Sequence, residues 1–191
     1  MVFSSIVFLF YFLPFVLLLY YASGKSNLVI LLASLLFYAW GEPQYVVLLV
    51  VFILFNWLAG LAIASRIGWQ RTAILAATIS ANVLFLVFFK YLDFLVGQLD
   101  TVLTAAGATP IAVRPIALPL GISFFTFHHI MYLVDLRRGK APNYSLGRYA
   151  LYISFFPQAI AGPLARWSEV MHQFGRQVYR PGWQRQFAVG E

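Results

Sequence analysis

The chain has no cysteine and little charge. Among its 191 residues there are 13 Lys and Arg and 6 Asp and Glu, and 10% of all residues are charged. Without Cys, this sequence can form no disulfide, thiolate nucleophile or Cys-ligated metal site. Soluble domains carry about 25% charged residues, so the low charged fraction excludes an ordinary soluble domain.

Familiar catalytic signatures are also missing. The sequence contains no Gly-x-Gly-x-x-Gly fingerprint, P-loop, Gly-x-Ser-x-Gly elbow or His-Glu-x-x-His zinc motif. Its carboxylates are too few and too scattered for a paired acid–base site. Taken alone, the sequence therefore contains no complete catalytic site, and it predicts no metal site.

Apolar residues dominate what is present. The hydrophobic fraction is 62% and the mean hydropathy is +0.82. This composition predicts an all-α, polytopic transmembrane protein with kinked or re-entrant helices and interfacial amphipathic helices. The net charge of +7 fits basic loops on the cytoplasmic face rather than nucleic-acid binding. The apolar segments are Phe3–Ala22, Leu28–Trp40, Tyr45–Ala64, Thr72–Phe89, Leu118–Val134 and Tyr149–Leu164.

The segments differ in how well they suit a membrane crossing, which takes about 20 helical residues. The second segment is short, and the last is broken by Pro157 and Pro163 and predicts a kinked or re-entrant helix. Residues 91–103 predict either an interfacial helix on the outer face or a packed loop helix. Basic and aromatic residues from Arg166 to Arg185 predict an amphipathic interfacial helix.

Basic residues alternate between the gaps that separate the first five segments. The first, third and fifth gaps hold seven of them, whereas the second and fourth hold two, Lys90 and Arg114. The positive-inside rule then predicts an outside N-terminus and cytoplasmic odd-numbered gaps.

Two runs near membrane length, 118–139 and 152–167, are interrupted by polar and helix-breaking residues. Such residues persist at bilayer depth where they are buried in protein or face a wet cavity. In the second run, Pro157 frees backbone carbonyls and Gln158 can hydrogen-bond to them. The segment Pro157–Pro163 predicts either a structural kink or the wall of a cavity.

The adjacent His128 and His129 are the most conspicuous polar pair. An imidazole at this depth could serve as a general base or a metal ligand. Adjacent helical positions point about 100° apart, and the positions three and four residues later carry no metal-binding side chain. The alternative is that one ring hydrogen-bonds a neighbouring helix and the other fills a packing gap.

Arg137 and Arg138 follow the first interrupted run. They predict either a snorkelling, positive-inside helix end with an Asp–Arg pair, or contacts to the phosphates of an acyl carrier or lipid on the cytoplasmic side.

Several blocks together resemble a known family. They are MVFSSIVFLFYFLPFVLLLYY, FYAWGEPQY, FFKYLDF, LPLGISFFTFHHIMYLVDLRRG and YISFFPQAIAGPLARWSEVMHQF. In this order they resemble the N-terminal part of the membrane-bound O-acyltransferases, and within them the bacterial alginate O-acetyltransferase branch. The resemblance is collinear over essentially the whole chain, so residues 1–191 are expected to be the N-terminal part of a single membrane-embedded domain with five to six membrane segments.

The resemblance implies transfer of an acyl group, expected to be acetyl, from a thioester donor to hydroxyls of an exported polysaccharide such as alginate. The donor would be acetyl-CoA or an acyl carrier, with no bound cofactor. The implied location is the bacterial inner membrane, and periplasmic acetylation or export proteins are further candidate partners. The family's catalytic histidine lies in a later helix, so no catalytic residue is assigned within 1–191.

Other consequences of the resemblance concern particular residues. Relatives carry Gln and a small or apolar residue where this chain has His128 and His129, which argues against a catalytic role for the pair. Gln158 and Arg166 are expected to line a cavity, with the two histidines as further candidates. We expect the sequence to be part of a longer protein, and the isolated 191 residues to be inactive.

Three alternatives remain open at the level of sequence. A transporter or polysaccharide-export subunit would also contain broken helices, although no internal repeat is visible. A noncatalytic scaffold could bind a partner through the basic C-terminal stretch. Within the family, a relative that transfers D-alanine to teichoic acid has a similar N-terminal half.

Overall fold

The computed structural model describes residues 6–24, 26–105, 107, 118–141 and 145–156. All regular elements in these ranges are helices. They are a π-helical turn, Phe8–Phe12, followed by α1, Leu13–Ala22; α2, Asn27–Gly41; α3, Val46–Ser65; α4, Gly68–Ala105; α5, Ile122–Arg137; and α6, Leu146–Ser154.

Two of these helices have the length and composition of membrane spans. Val46–Ser65 and Gly68–Ala105 are long and apolar enough to cross a bilayer, and Phe8–Ala22 and Asn27–Gly41 are shorter apolar helices. The predicted fold class, a helical membrane protein, is confirmed. The number of crossings and the orientation of the N-terminus stay predictions.

The second helix is short, as its sequence predicts. It begins after Ser26, whose hydroxyl accepts a hydrogen bond from the Leu28 amide at 3.3 Å. Its 15 residues give a length of about 22 Å, less than the hydrocarbon thickness of about 30 Å. Its last turn lies against the turn before α5, where Tyr38 Oη donates to the Leu120 carbonyl at 3.1 Å.

The fourth helix is longer than the sequence indicates. We expect an apolar span to end at Phe89 and a separate helix to occupy residues 91–103, but α4 is a single helix of 38 residues. The polar residues Lys90 and Asp93 do not end it, because neither removes a backbone donor and no proline lies within it. Residues 91–103 are helical as expected, and the prediction that they form a separate helix is wrong.

Helices α3, α4 and α5 form the centre of the main apolar core. Phe52 of α3 stacks on Phe85 of α4 at a ring-centroid distance of 4.1 Å, and its ring lies 6.0 Å from Phe125 of α5. Further along α3, a Cβ built on Gly60 would lie 3.4 Å from Leu136 Cδ2 and from Tyr132 Cε1. An alanine would just contact α5 here, whereas a larger side chain would overlap it, so a small residue lets α3 approach α5 closely.

A second apolar cluster fixes α6 against the N-terminal helices. Phe8 and Phe12 of the π-helical turn, Phe37 of α2 and Phe156 after α6 form it, with pairwise ring-centroid distances of 5.3 to 5.9 Å. Several of these pairs are edge-to-face, the geometry that aromatic rings prefer. The cluster holds the chain immediately before Pro157.

Candidate functional site

Buried polar side chains lie between the helices of the main core. Asn56 of α3, Asn82 of α4, His129 of α5 and Tyr149 of α6 are all 0% exposed. We call these four residues the buried polar layer. Polar groups at membrane depth face the interior of a bundle and pair with one another, and these four follow that rule.

The two asparagines join α3 to α4. Asn82 Nδ2 donates to Asn56 Oδ1 at 2.8 Å and also to the Thr78 carbonyl of its own helix at 2.8 Å. Asn56 Nδ2 donates to the Phe52 carbonyl at 3.0 Å. Asn82 Oδ1 is buried without a hydrogen-bond partner among the described residues. The pair therefore forms one interhelical hydrogen bond and retains one unused acceptor.

His129 joins α5 to α6. Its Nδ1 lies 2.5 Å from the Tyr149 hydroxyl, and its ring packs edge-on against Phe52 at 5.4 Å. Its Nε2 is buried and has no hydrogen-bond partner among the described residues. The tyrosine hydroxyl can donate or accept, so it can pair with either tautomer of the histidine ring.

His128 points to a different part of the core. Its Nδ1 lies 2.8 Å from the Phe124 carbonyl one turn earlier, and its ring lies 5.3 Å from the ring of Tyr152. The two histidines therefore have different neighbours, as their adjacent positions on one helix predict. This is the alternative in which one ring bonds a neighbouring helix, here His129 with α6, and the other packs among side chains.

A buried serine holds the end of α6. Ser34 of α2 donates from Oγ to the Ile30 carbonyl at 2.8 Å and accepts from the Phe156 amide at 3.3 Å. Phe156 is the residue before Pro157, where the sequence predicts a kink. Ser34 and the phenylalanine cluster therefore define where the chain enters the segment that sequence analysis identifies as a candidate cavity wall.

Two arginines connect the beginning of α4 with the end of α5. Arg71 Nη2 donates to the Leu136 carbonyl at 2.8 Å, and Arg137 Nη2 donates to Thr72 Oγ1 at 3.1 Å. Arg137 therefore hydrogen-bonds to the neighbouring helix, and the Asp–Arg pair at the end of α5 stays a prediction. Arg138 is exposed. The third and fifth gaps of the sequence thus lie at the same end of the bundle, as the predicted topology requires.

The remaining predicted site residues, Gln158 and Arg166, lie outside the described residues, as does Pro157–Pro163. No group of three His, Cys, Asp or Glu side chains that could hold a metal ion occurs in the ranges that the structure describes. Sequence reasoning missed Asn56, Asn82 and Ser34. A lone Asn within an otherwise apolar span was the available signal for the first two.

Curated relatives match nearly the whole chain. It is 40% identical over 186 residues to a probable alginate O-acetylase of Pseudomonas aeruginosa, and 37% identical over 184 residues to one of Pseudomonas putida. Each alignment covers 94% of this chain and 35% or 38% of the relative. The chain is homologous to the N-terminal portion of the alginate O-acetylases. The resemblance inferred from the sequence is confirmed.

A second kind of relative matches more narrowly. A peptidoglycan O-acetyltransferase of Helicobacter pylori is 37% identical over 119 residues, which is 49% of this chain and 22% of that protein. No protein-family model matches the chain, and no solved structure matches it. The chain thus spans little more than a third of the length of the alginate O-acetylases it matches.

Proposed function

We propose that this chain forms the N-terminal helices of a membrane-bound O-acyltransferase that modifies an exported polysaccharide. The observation that carries the proposal is the 40% identity to an alginate O-acetylase over 94% of the chain. The buried polar layer supports it, because a simple lipid anchor has no need for buried Asn, His and Tyr side chains between its helices.

In the proposed reaction, a hydroxyl of the glycan attacks the carbonyl carbon of an acyl thioester. A carbon–oxygen bond forms, the carbon–sulfur bond breaks, and the thiol leaves. A general base accepts the hydroxyl proton. The resemblance assigns that base to a histidine beyond residue 191, and we assign no catalytic residue to the described helices.

The described helices serve this reaction by fixing one wall of the reaction cavity. Ser34 and the phenylalanine cluster hold Phe156, and the chain then continues into Pro157–Pro163. We propose that Gln158 and Arg166 line the cavity. The inner membrane, multi-pass topology and a thioester donor such as acetyl-CoA belong to the same proposal, and contacts of Arg137 and Arg138 to the donor stay a prediction.

Alginate is the favoured acceptor because the alginate O-acetylases align with 94% of the chain, whereas the peptidoglycan enzyme aligns with 49%. Both names describe acetylation of a polysaccharide. The acceptor class is therefore an exported glycan with free hydroxyls, and peptidoglycan is the second candidate.

The test is acyl transfer by the complete protein in membranes, with radiolabelled acetyl thioester as donor and alginate or peptidoglycan as acceptor. We expect labelled ester on alginate. Gln158→Ala and Arg166→Ala should each lower transfer at least tenfold, while Gln98→Ala, an exposed amide on α4, should leave it unchanged. Label on peptidoglycan alone would replace the acceptor, and absence of label on any glycan would refute acyl transfer. Normal transfer by both cavity variants would remove the lining role.

A further inference from the structure

Helix α6 ends just before a buried backbone amide that needs an acceptor. Phe155, which follows the last residue of α6, has a ψ of 105° and so leaves the helical conformation. The amide of the next residue, Phe156, therefore cannot continue the hydrogen bonds of α6. Phe156 is 5% exposed, and a buried N–H without a partner is costly, above all at membrane depth. The end of α6 thus requires an acceptor from elsewhere in the protein.

Ser34 of α2 supplies this acceptor. Its Oγ accepts from the Phe156 amide at 3.3 Å and donates its proton to the Ile30 carbonyl at 2.8 Å. A serine hydroxyl has one proton and two lone pairs, so the bond to Ile30 orients the hydroxyl and leaves its lone pairs for the amide. Ser34 is 0% exposed, so bulk solvent is no alternative acceptor. A side chain of α2 takes the place of a backbone carbonyl of α6.

The ring of Phe156 is held separately from its amide. It packs against Phe8, Phe12 and Phe37 at ring-centroid distances of 5.9, 5.6 and 5.7 Å. Apolar burial is non-directional, whereas a hydrogen bond depends on the direction of the N–H. The aromatic cluster therefore fixes where the side chain lies, and the bond to Ser34 fixes the rotation of the backbone.

Proline makes this rotation important for the residues that follow. The ring of Pro157 holds its φ at about −65°, and it also restricts the backbone of the residue before it. Fewer free rotations therefore separate Phe156 from Gln158 than in a chain without proline. A contact that orients the Phe156 amide consequently influences the direction in which the chain continues towards Gln158.

We propose that Ser34 is a positioning residue for acyl transfer. Its hydroxyl sets the direction in which the chain leaves α6 and so places Gln158 at the cavity, while Ser34 itself touches neither the donor nor the glycan. This role rests on the proposed function and on the cavity-lining role proposed for Gln158.

The test compares Ser34→Ala with Ser154→Ala as the matched control. Ser154 is also buried, and its Oγ donates to the Ala150 carbonyl at 2.8 Å within α6. Each variant loses a hydroxyl that bonds to the carbonyl four residues earlier. Only Ser34→Ala also leaves a backbone amide without its acceptor.

The first measurement is hydrogen exchange of the Phe156 amide in the complete protein in lipid nanodiscs, resolved by mass spectrometry with fragmentation. We expect exchange about tenfold faster in Ser34→Ala, because the hydrogen bond that protects the amide is lost, and unchanged in Ser154→Ala. This readout does not require acyl transfer. Equal exchange rates in the two variants would overturn the positioning role.

The second measurement is kcat and KM for acyl transfer per folded molecule, with helicity followed by circular dichroism. We expect a kcat about tenfold lower in Ser34→Ala with a nearly unchanged KM for the glycan, because small misplacements lower the rate of an aligned reaction strongly. Ser154→Ala should keep the wild-type kcat. When Gln158→Ala is already present, Ser34→Ala should lower kcat little further, because residues that act as a unit are non-additive.

Ser34→Cys is the second variant in case Ser34→Ala does not fold, because sulfur fills the same site and is a weaker acceptor. Its kcat should also fall, with faster exchange at Phe156. If wild type transfers acyl groups normally, an unchanged kcat in the Ser34 variants would overturn the positioning role alone. A full tenfold loss from Ser34→Ala on top of Gln158→Ala would do the same. Absence of transfer by wild type would refute the proposed function itself, and the positioning role with it.

Discussion

Variants of the contact between His129 and Tyr149 test whether His129 has a structural role or takes part in proton transfer. Tyr149→Phe removes the hydroxyl while keeping the ring, which lies 4.7 Å from the ring of Tyr132. His129 Nδ1 then loses its partner in a position that is fully buried. His129→Leu removes the other side of the same contact and leaves an apolar side chain among Phe52 and Phe125.

The expected magnitudes follow from burial. A buried polar atom left without a partner costs about 1–3 kcal/mol, whereas replacing both partners with apolar groups can be nearly neutral. Tyr149→Phe should therefore destabilise the chain by about 1–3 kcal/mol, and the double variant should be more stable than the sum of the single losses predicts. Interhelical contacts in membranes have coupling energies of about 0.6 kcal/mol on average and at most about 1.7 kcal/mol.

The assay is reversible unfolding in bicelles by added dodecyl sulfate, followed by circular dichroism, for wild type, both single variants and the double variant. Tyr91→Phe is the matched control, because Tyr91 is 45% exposed on α4. It should shift the unfolding free energy by less than about 0.5 kcal/mol, as surface substitutions do. Acyl transfer by the complete protein is measured on the same variants.

A structural role predicts that transfer per folded molecule changes little in Tyr149→Phe and His129→Leu. Loss of a general acid or base lowers the rate by about 10²–10⁴. A fall of that size in a variant that still unfolds like wild type would refute the structural reading. Additive stability losses, with a coupling energy near zero, would show that the contact does not join α5 to α6 energetically.

The other predictions concern the contacts of α3. Asn82→Ala and Asn56→Ala should show a coupling energy near 0.6 kcal/mol in a double-mutant cycle. The control pair is Asn56→Ala with Thr101→Val, because the Thr101 hydroxyl bonds within its own exposed helical turn. The stability losses of the control pair should be additive. Gly60→Ala should be neutral or stabilising in the same unfolding assay, because its Cβ meets Leu136 at an ordinary contact distance of 3.4 Å. Gly60→Leu should destabilise by about 1–3 kcal/mol through overpacking, and equal stability of the two Gly60 variants would contradict the close approach of α3 to α5.

Sequence reasoning identified the helices by their apolar runs and did less well at their ends. The predicted second segment, Leu28–Trp40, differs from α2 by one residue at each end. The break expected at Lys90 is absent because polar residues are compatible with a helix that continues past the apolar stretch. Hydropathy shows where the apolar part of a helix ends. The helix itself continues until its backbone hydrogen bonds end.

The sequence alone does not predict which residues hydrogen-bond to each other across neighbouring helices. Arg71 is one of the basic residues of the third gap, and the sequence does not show that it donates to the Leu136 carbonyl, because a backbone acceptor leaves no side-chain pattern. Ser34 was likewise invisible, since its acceptor and donor partners are both backbone atoms. The separate directions of His128 and His129 were predictable, because helical geometry alone fixes the angle between adjacent side chains.

The described polar contacts share one feature: they hold the ends of α5 and α6, which favours a positioning role for these two helices. Tyr38 bonds the chain just before α5 and Arg71 bonds the last turn of α5. His129 bonds the first turn of α6, and Ser34 bonds the chain just after α6. Both α5 and α6 are thus fixed at each end by a side chain of another helix. Each of these contacts joins two parts of the protein itself, so each has a structural role. The described parts of the interrupted runs are therefore suited to positioning, and we expect the chemistry proposed for the complete protein to come from other residues.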